Sequence, residues 1–224
     1  MPVEGPLCRR RCRDRPMTGF SLIETLRYEP EHGFTRLRLH LARLTRSARR
    51  LGFTGAAAAE SALGRAVSGA RAPLRVRLTL DRDGSIDVTT APFVPLAEGA
   101  AWRVRIASTR LDSHDRLLRM KTTRRSRYEA ARSEFSAAEA DEVILLNEKG
   151  EVCEGTITSV FLDDGSGYLK TPPIACGLLA GVLRTELICQ RRARVERLAP
   201  ADLASGRLYI GNSLRGLIRA ELTV

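Results

Sequence analysis

The stretch Leu117-Leu118-Arg119-Met120-Lys121-Thr122-Thr123-Arg124-Arg125 decides how this chain is read. The sequence holds 37 basic residues, of which only three are lysines: Lys121, Lys149 and Lys170. Lys149 sits in Asn147-Glu148-Lys149-Gly150, a polar turn between apolar runs. Lys170 follows Tyr168-Leu169 and precedes Thr171-Pro172-Pro173, which places it at a strand end on the surface. Lys121 alone lies among apolar and hydroxyl side chains, with Arg119, Arg124 and Arg125 close by in sequence. Nearby cations disfavour an ammonium group and burial adds to that, so a lysine so placed loses its proton more readily. A neutral lysine amine attacks carbonyl carbons. By itself the stretch also fits a solvated basic helix start, since charge runs usually face solvent.

The bulk composition narrows the field. At 224 residues the chain can bury one large core or two small ones. It is 43% apolar and 28% charged, the balance of a globular protein. No apolar run approaches the roughly 18 residues of a membrane span. Residues 1–16 carry Arg9, Arg10, Arg11, Arg13 and Arg15 with no apolar segment after them, so they read as a disordered basic extension rather than a secretory signal. A net charge of +11 favours anionic partners. Nucleic acid is poorly supported, because no motif interleaves aromatics with the arginines; a small molecule bearing carboxylate or phosphate fits better. The five cysteines are odd in number and scattered, with no metal-knuckle spacing, and read as free thiols in a reducing cytoplasm. His32, His40 and His114 lie too far apart in sequence to suggest a site.

The periodicity predicts an α+β chain. Phe20 to Tyr28 reads as a strand turning through His32-Gly33 into residues 34–37. Leu41, Leu44, Ala48 and Leu51 then define an amphipathic helix stopped by Gly52, and Ala56 to Val67 a second one. Leu74 to Leu80 alternates as a half-buried strand, and Asp81-Arg82-Asp83-Gly84 turns it into Ile86 to Thr89. Residues 17–95 are expected to form a small domain, 96–101 a linker, and 102–224 a larger domain. In the larger domain, strands are expected at Trp102 to Ala107, Glu142 to Leu146, Thr156 to Leu162 and Tyr168 to Lys170, with helices from Ser126 and from Val182. Short late elements follow at Arg194, Leu208 and Leu217.

Three further stretches carry chemistry. Val152-Cys153-Glu154-Gly155-Thr156 places a lone acid at the edge of an apolar strand. A buried carboxylate needs a cationic partner, and a protonated pyridinium is one. Gly177-Leu178-Leu179-Ala180-Gly181-Val182 sets glycines before a helix, where bare amides bind phosphate. Tyr209-Ile210-Gly211-Asn212-Ser213-Leu214-Arg215-Gly216 ends a strand in a small polar turn that can close round an anion. Each alone is also an ordinary turn or helix start.

In this order the four stretches resemble the class IV aminotransferase family, pyridoxal 5'-phosphate (PLP) enzymes of fold type IV. Glu24-Thr25-Leu26-Arg27, His40-Leu41-Ala42-Arg43-Leu44 and Thr171-Pro172-Pro173 add to the likeness, which runs from about Ser21 to Leu222. The resemblance implies a two-domain fold like that of D-amino-acid aminotransferase, with PLP between the domains, and a homodimer. It implies that Lys121 condenses with the PLP aldehyde and shuttles protons, and that Glu154 pairs with the pyridine nitrogen. It assigns Arg43, the Gly181 and Val182 amides and the Ser213 hydroxyl to the phosphate. Thr25, Arg27, Arg75 and Arg77 become candidates for the substrate side.

Within the family, Lys-Thr-Thr-x-Arg and Gly-Asn-Ser-Leu-Arg-Gly look most like 4-amino-4-deoxychorismate lyases. Some positions depart from the usual pattern. Ser159 stands where asparagine is usual, Met120 where the lyases often have histidine, and Arg124 where asparagine is common. Ser126 occupies the place of the tyrosine that aminotransferases use against the ring hydroxyl. The expected reaction is release of pyruvate and 4-aminobenzoate from aminodeoxychorismate. Amino-group transfer is the alternative, and a non-catalytic basic binding protein on a decayed PLP fold is a third reading.

Overall fold

The computed structural model describes residues 19–223. The basic extension expected over residues 1–16, with Cys8 and Cys12, lies outside the described residues.

The first half forms a four-stranded antiparallel sheet in the order β2-β1-β3-β4, from β1 (Leu22–Glu29), β2 (Gly33–Phe34), β3 (Leu74–Leu80) and β4 (Ile86–Pro92). Between β2 and β3 run helices α1 (Leu37–Leu51) and α2 (Ala59–Ala66), the second entered through a 3₁₀ turn at Ala56–Ala58. Strand alternation sends Leu22, Leu26, Val76, Leu78 and Leu80 to one face, where they pack with Leu44, Ala48 and Leu63 of the helices. The opposite face carries Ile23, Thr25, Arg75 and Arg77 and borders a cavity. α1 stops because Gly52 takes a left-handed φ of 70° and donates its N–H back to Ala48 O.

Residues 93–100 lead into an eight-stranded sheet. Its strands are β5 (Ala101–Leu111), β6 (Glu142–Asn147), β7 (Val152–Gly155), β8 (Ser159–Asp163), β9 (Leu169–Thr171), β10 (Ala193–Val195), β11 (Arg207–Asn212) and β12 (Gly216–Leu222). They run in the order β10-β9-β8-β11-β12-β5-β6-β7. A further pairing of β7 with β8, at Glu154 opposite Ser159, closes six of these strands into a ring. Helix α3 (Ser126–Ser133) packs on β5 and β6, and α4 (Val182–Cys189) on β10 and β11. Val104, Ile144, Val160, Ile210 and Ile218 build the principal core of this sheet. No helix among the described residues is long and apolar enough to cross a membrane.

The mixed α+β architecture expected from the sequence is the one observed. One strand differs. The run from Thr156 to Leu162 begins as a strand only at Ser159, and Val152–Gly155 is a strand of its own. The cause is Glu142, whose buried carboxylate accepts from the Ile157 N–H at 3.0 Å and from the Thr156 and Thr158 hydroxyls at 2.6 and 3.0 Å. Those bonds hold residues 156–158 as a tight turn beside the cavity.

Candidate active site

Lys121 reaches the cavity because its own segment is stitched to the small sheet. Ile23 N–H donates to Lys121 O at 2.9 Å, and Thr123 N–H donates to Ser21 O at 2.9 Å. Leu22 and Thr122 form an antiparallel bridge. The segment leaves a 3₁₀ turn at Arg116–Arg119 that Asp115 caps by accepting from Leu117 N–H. Leu118 and Met120, just before Lys121, are buried. Lys121 thus lies between the two sheets, in a cavity of about 740 Å³ that both of them line. Its ammonium is in no ion pair among the described residues. Burial, and then the Arg43 guanidinium, bring its pKa down to about 8. The neighbour that matters is therefore Arg43, distant in sequence, more than Arg119 or Arg124.

Glu154 stands on β7 at the seam of the ring and is only 6% exposed. Tyr128 of α3 donates its phenol to Glu154 Oε1 at 2.6 Å, and Leu179 N–H donates to the same oxygen at 3.2 Å. Oε2 has no partner among the described residues. Burial raises the Glu154 pKa to about 7, against the pull of Tyr128 and Leu179. The Arg125 guanidinium lies 4.8 Å from the Tyr128 ring centre and donates to Thr156 O at 2.6 Å, which fixes α3 against the 156–158 turn.

At the other end, Glu24 occupies a core-facing position of β1 and is 3% exposed. Arg43 clamps it in two bonds, Nε to Oε1 at 2.8 Å and Nη2 to Oε2 at 2.6 Å. His40 Nδ1 lies 2.7 Å from Glu24 Oε2, and His40 Nε2 lies 2.8 Å from Ser213 Oγ. Burial alone would raise the Glu24 pKa, but Arg43 and His40 hold it at about 2. The remaining Arg43 nitrogen donates to Ala180 O at 3.3 Å, so the clamp joins α1 to the segment entering α4. No side chain caps α4, which leaves its first amides without a side-chain acceptor, and Val182 and Leu183 line the cavity. Gly181 contributes differently: its amide donates to Leu179 O at 2.8 Å, while a Cβ there would stand 2.5 Å from Ser159 Oγ. It keeps the cavity wall thin.

Of the residues expected on the substrate side, Thr25, Arg75 and Arg77 line the cavity. Thr25 and Arg77 are directly paired across β1 and β3. Neither arginine has a partner among the described residues. Arg27 stands apart from the lining residues, bonded to the Glu29 carboxylate with its guanidinium 4.5 Å from the Phe93 ring centre. Four contributors carry no role legible in the sequence motifs: Glu24, His40, Tyr128 and Glu142. Glu24 had a readable signal, an acid between Leu22 and Leu26 on the inward face of an alternating strand. His40 and Arg43, three apart on α1, fall on the stripe that also buries Leu44 and Ser47.

The family model for class IV amino-transferases matches residues 21–222. The chain belongs to the class IV aminotransferase family. No curated protein matches it. Among solved structures, a Mesorhizobium loti protein provisionally named an amino-acid aminotransferase is 50% identical. The match covers 92% of this chain and 100% of that one, with a TM-score of 0.89. A protein provisionally named a 4-amino-4-deoxychorismate lyase is 29% identical over 99% of this chain and 93% of its own, with a TM-score of 0.80. A hypothetical aminotransferase from Mycobacterium tuberculosis, solved with PLP bound, shares the fold at 22% identity. That match covers 90% of this chain and 81% of the other, with a TM-score of 0.76.

As a class IV enzyme the chain depends on PLP, and its own residues fit that group. A free amine, a half-used buried carboxylate and an uncapped helix N-terminus beside a guanidinium share one cavity. They are the complements of an aldehyde, a pyridine nitrogen and a phosphate.

Proposed function

We propose that the enzyme is a PLP-dependent lyase that converts 4-amino-4-deoxychorismate to 4-aminobenzoate and pyruvate. One observation carries the reading: Arg75, Arg77, Arg124 and Arg127 line the Lys121 cavity with no acidic partner among the described residues. A substrate with two carboxylates suits such a wall, which would be excessive for a neutral side chain. Ser126 supports the same reading, since it stands where aminotransferases carry a tyrosine.

PLP supplies an aldehyde that captures amines and a ring that accepts electron density from the carbon beside them. Glu154 Oε2 is the group we assign to the ring nitrogen, with Tyr128 and Leu179 holding the other oxygen. Arg43, the Val182 and Leu183 amides and Ser213 are assigned to the phosphate. Gly181 is assigned there through its missing side chain. Lys121 would then be the base that takes the proton from the carbon bearing the substrate amine. The enolpyruvyl group leaves as pyruvate and the ring becomes aromatic. With a pKa near 8, Lys121 Nζ is partly neutral at pH 7 and can accept that proton. Thr25, Arg75 and Arg77 orient the carboxylates.

A second reading, transfer of the amino group to a 2-oxo acid, is favoured by the name given to the 50% identical Mesorhizobium loti protein. Purified enzyme with aminodeoxychorismate separates the two. The lyase forms pyruvate and 4-aminobenzoate in equal amounts. Amino transfer to 2-oxoglutarate without pyruvate would replace this reading by the second. Lys121→Ala is expected to lower either activity about 1000-fold or more and to abolish a visible absorbance band that borohydride bleaches in the parent. The reading also carries a homodimer, to be checked by light scattering.

A further inference from the structure

Resting on the reading that a phosphate-bearing cofactor occupies this cavity, we infer that anion binding at Ser213 is coupled to the uptake of one proton by His40. Glu24, clamped by Arg43, is an acceptor only, so His40 Nδ1, 2.7 Å away, carries a hydrogen. In the neutral imidazole, Nε2 is then an acceptor. The group 2.8 Å from it is the Ser213 hydroxyl, which has one hydrogen to give. Ser213 in this state turns lone pairs to the cavity, and an arriving anionic oxygen finds no donor on it. A proton at Nε2 reverses the bond. His40 then donates to Ser213 Oγ, and the serine hydrogen is free to swing to the anion. The proton comes from solvent and forms the Nε2–H bond; no bond between heavy atoms changes.

The charged groups around His40 support this direction. Glu24 faces it from β1, Arg43 from α1, and Lys121 from the segment before α3. Arg36, at the start of α1, donates to Ser213 O at 3.2 Å and is paired with Glu186 of α4 at 2.7 Å, so its charge is already matched. Without an anion, burial and the two cations Arg43 and Lys121 keep His40 below its usual range, although Glu24 opposes them. An anion in the cavity offsets both cations and favours the imidazolium. His40 is therefore a positioning residue. It acts on the ligand through Ser213, and Glu24 fixes which of its nitrogens can change.

The test uses the full chain freed of cofactor and sodium sulfate as the probe. Sulfate does not titrate near neutral pH, so any proton taken up belongs to the protein. Calorimetry in buffers of different ionisation enthalpy counts those protons. The parent should take up close to one proton per site more than Ser213→Ala at pH 7–8, Lys121 and Glu154 contributing alike to both, and its sulfate affinity should fall by about tenfold more per pH unit across that range. Ser213→Ala and His40→Asn should bind sulfate without that uptake and with a flatter pH dependence. Should His40→Asn fail to fold, Ser213→Ala, which leaves Glu24, Arg43 and His40 in place, still carries the comparison. Equal uptake in the parent and Ser213→Ala overturns the inference, and so does a parent that binds no sulfate. Pyruvate formation does not enter this measurement, so a chain that takes up the proton yet releases no pyruvate keeps the coupling and loses the lyase.

Discussion

Glu24 and Glu154 are buried to nearly the same degree beside the same cavity, yet one is held at about pKa 2 and the other at about 7. Burial pushes both upward. What separates them is the partner. Glu24 has the two-pronged Arg43 and a histidine, and both its oxygens are engaged. Glu154 has a phenol and one amide on a single oxygen, and no cation in contact. A carboxylate matched inside the protein is a structural part. One left unmatched stores a demand for a cation that a ligand can supply. The two ends of the cavity are thus finished to different degrees: the Glu24 end is pre-wired, and the Glu154 end waits.

The largest expected effect comes from breaking the finished end. Glu24→Gln leaves the Arg43 charge buried with a neutral partner and should cost about 3–5 kcal/mol in urea unfolding. A loss under about 1 kcal/mol would show that the Arg43 clamp is not the structural unit described here. Next in size is the pH dependence of the cofactor-free chain, where the two acids act with opposite sign. Glu24 is lowered from 4.5, so its contribution is present above pH 4.5 and lost as the pH falls toward 2. Glu154 is raised from 4.5, so its contribution is present below pH 4.5 and lost as the pH rises through 7. Glu154→Gln should therefore remove a fall in stability of up to about 3 kcal/mol between pH 4.5 and 7. An unchanged slope in that variant would mean that Glu154 is solvated after all.

The finished end was also the harder one to read from sequence. Lys121 and Glu154 are legible one at a time, as a rare lysine and as an acid entering an apolar strand. The strands around them follow from alternation, and Leu74 to Leu80 was delimited to the residue. The Glu24 network depends on three residues from two elements and on Ser213, 173 positions from His40. The packing of α1 on β1 and of α4 against α1 and β11 brings those groups together. For a lowered Lys121 pKa the sequence suggests burial and crowding by Arg119, Arg124 and Arg125; the fold supplies burial and Arg125 and adds Arg43, from a helix distant in sequence, ahead of Arg125. The turn at 156–158 is not legible in the sequence, because its hydrogen-bond acceptor, Glu142, lies 14 residues away from Thr156 at the head of another apolar run.

The smallest change sharpens the comparison most, because it alters Glu154 without touching its charge. Tyr128→Phe removes the 2.6 Å phenol donor and leaves the ring, with its packing against Arg125, in place. The direct cost should be about 1 kcal/mol. The more telling readout is the pH at which the cofactor-free chain loses its Glu154 contribution. Tyr128 stabilises the charged carboxylate, so without it the Glu154 pKa must rise and the step in stability must move above pH 7. A step that stays at the same pH would mean that the phenol takes its proton partner elsewhere in solution. The half-used carboxylate would then keep only the Leu179 amide on Oε1, and the asymmetry between the two ends of the cavity would be greater than the geometry gives.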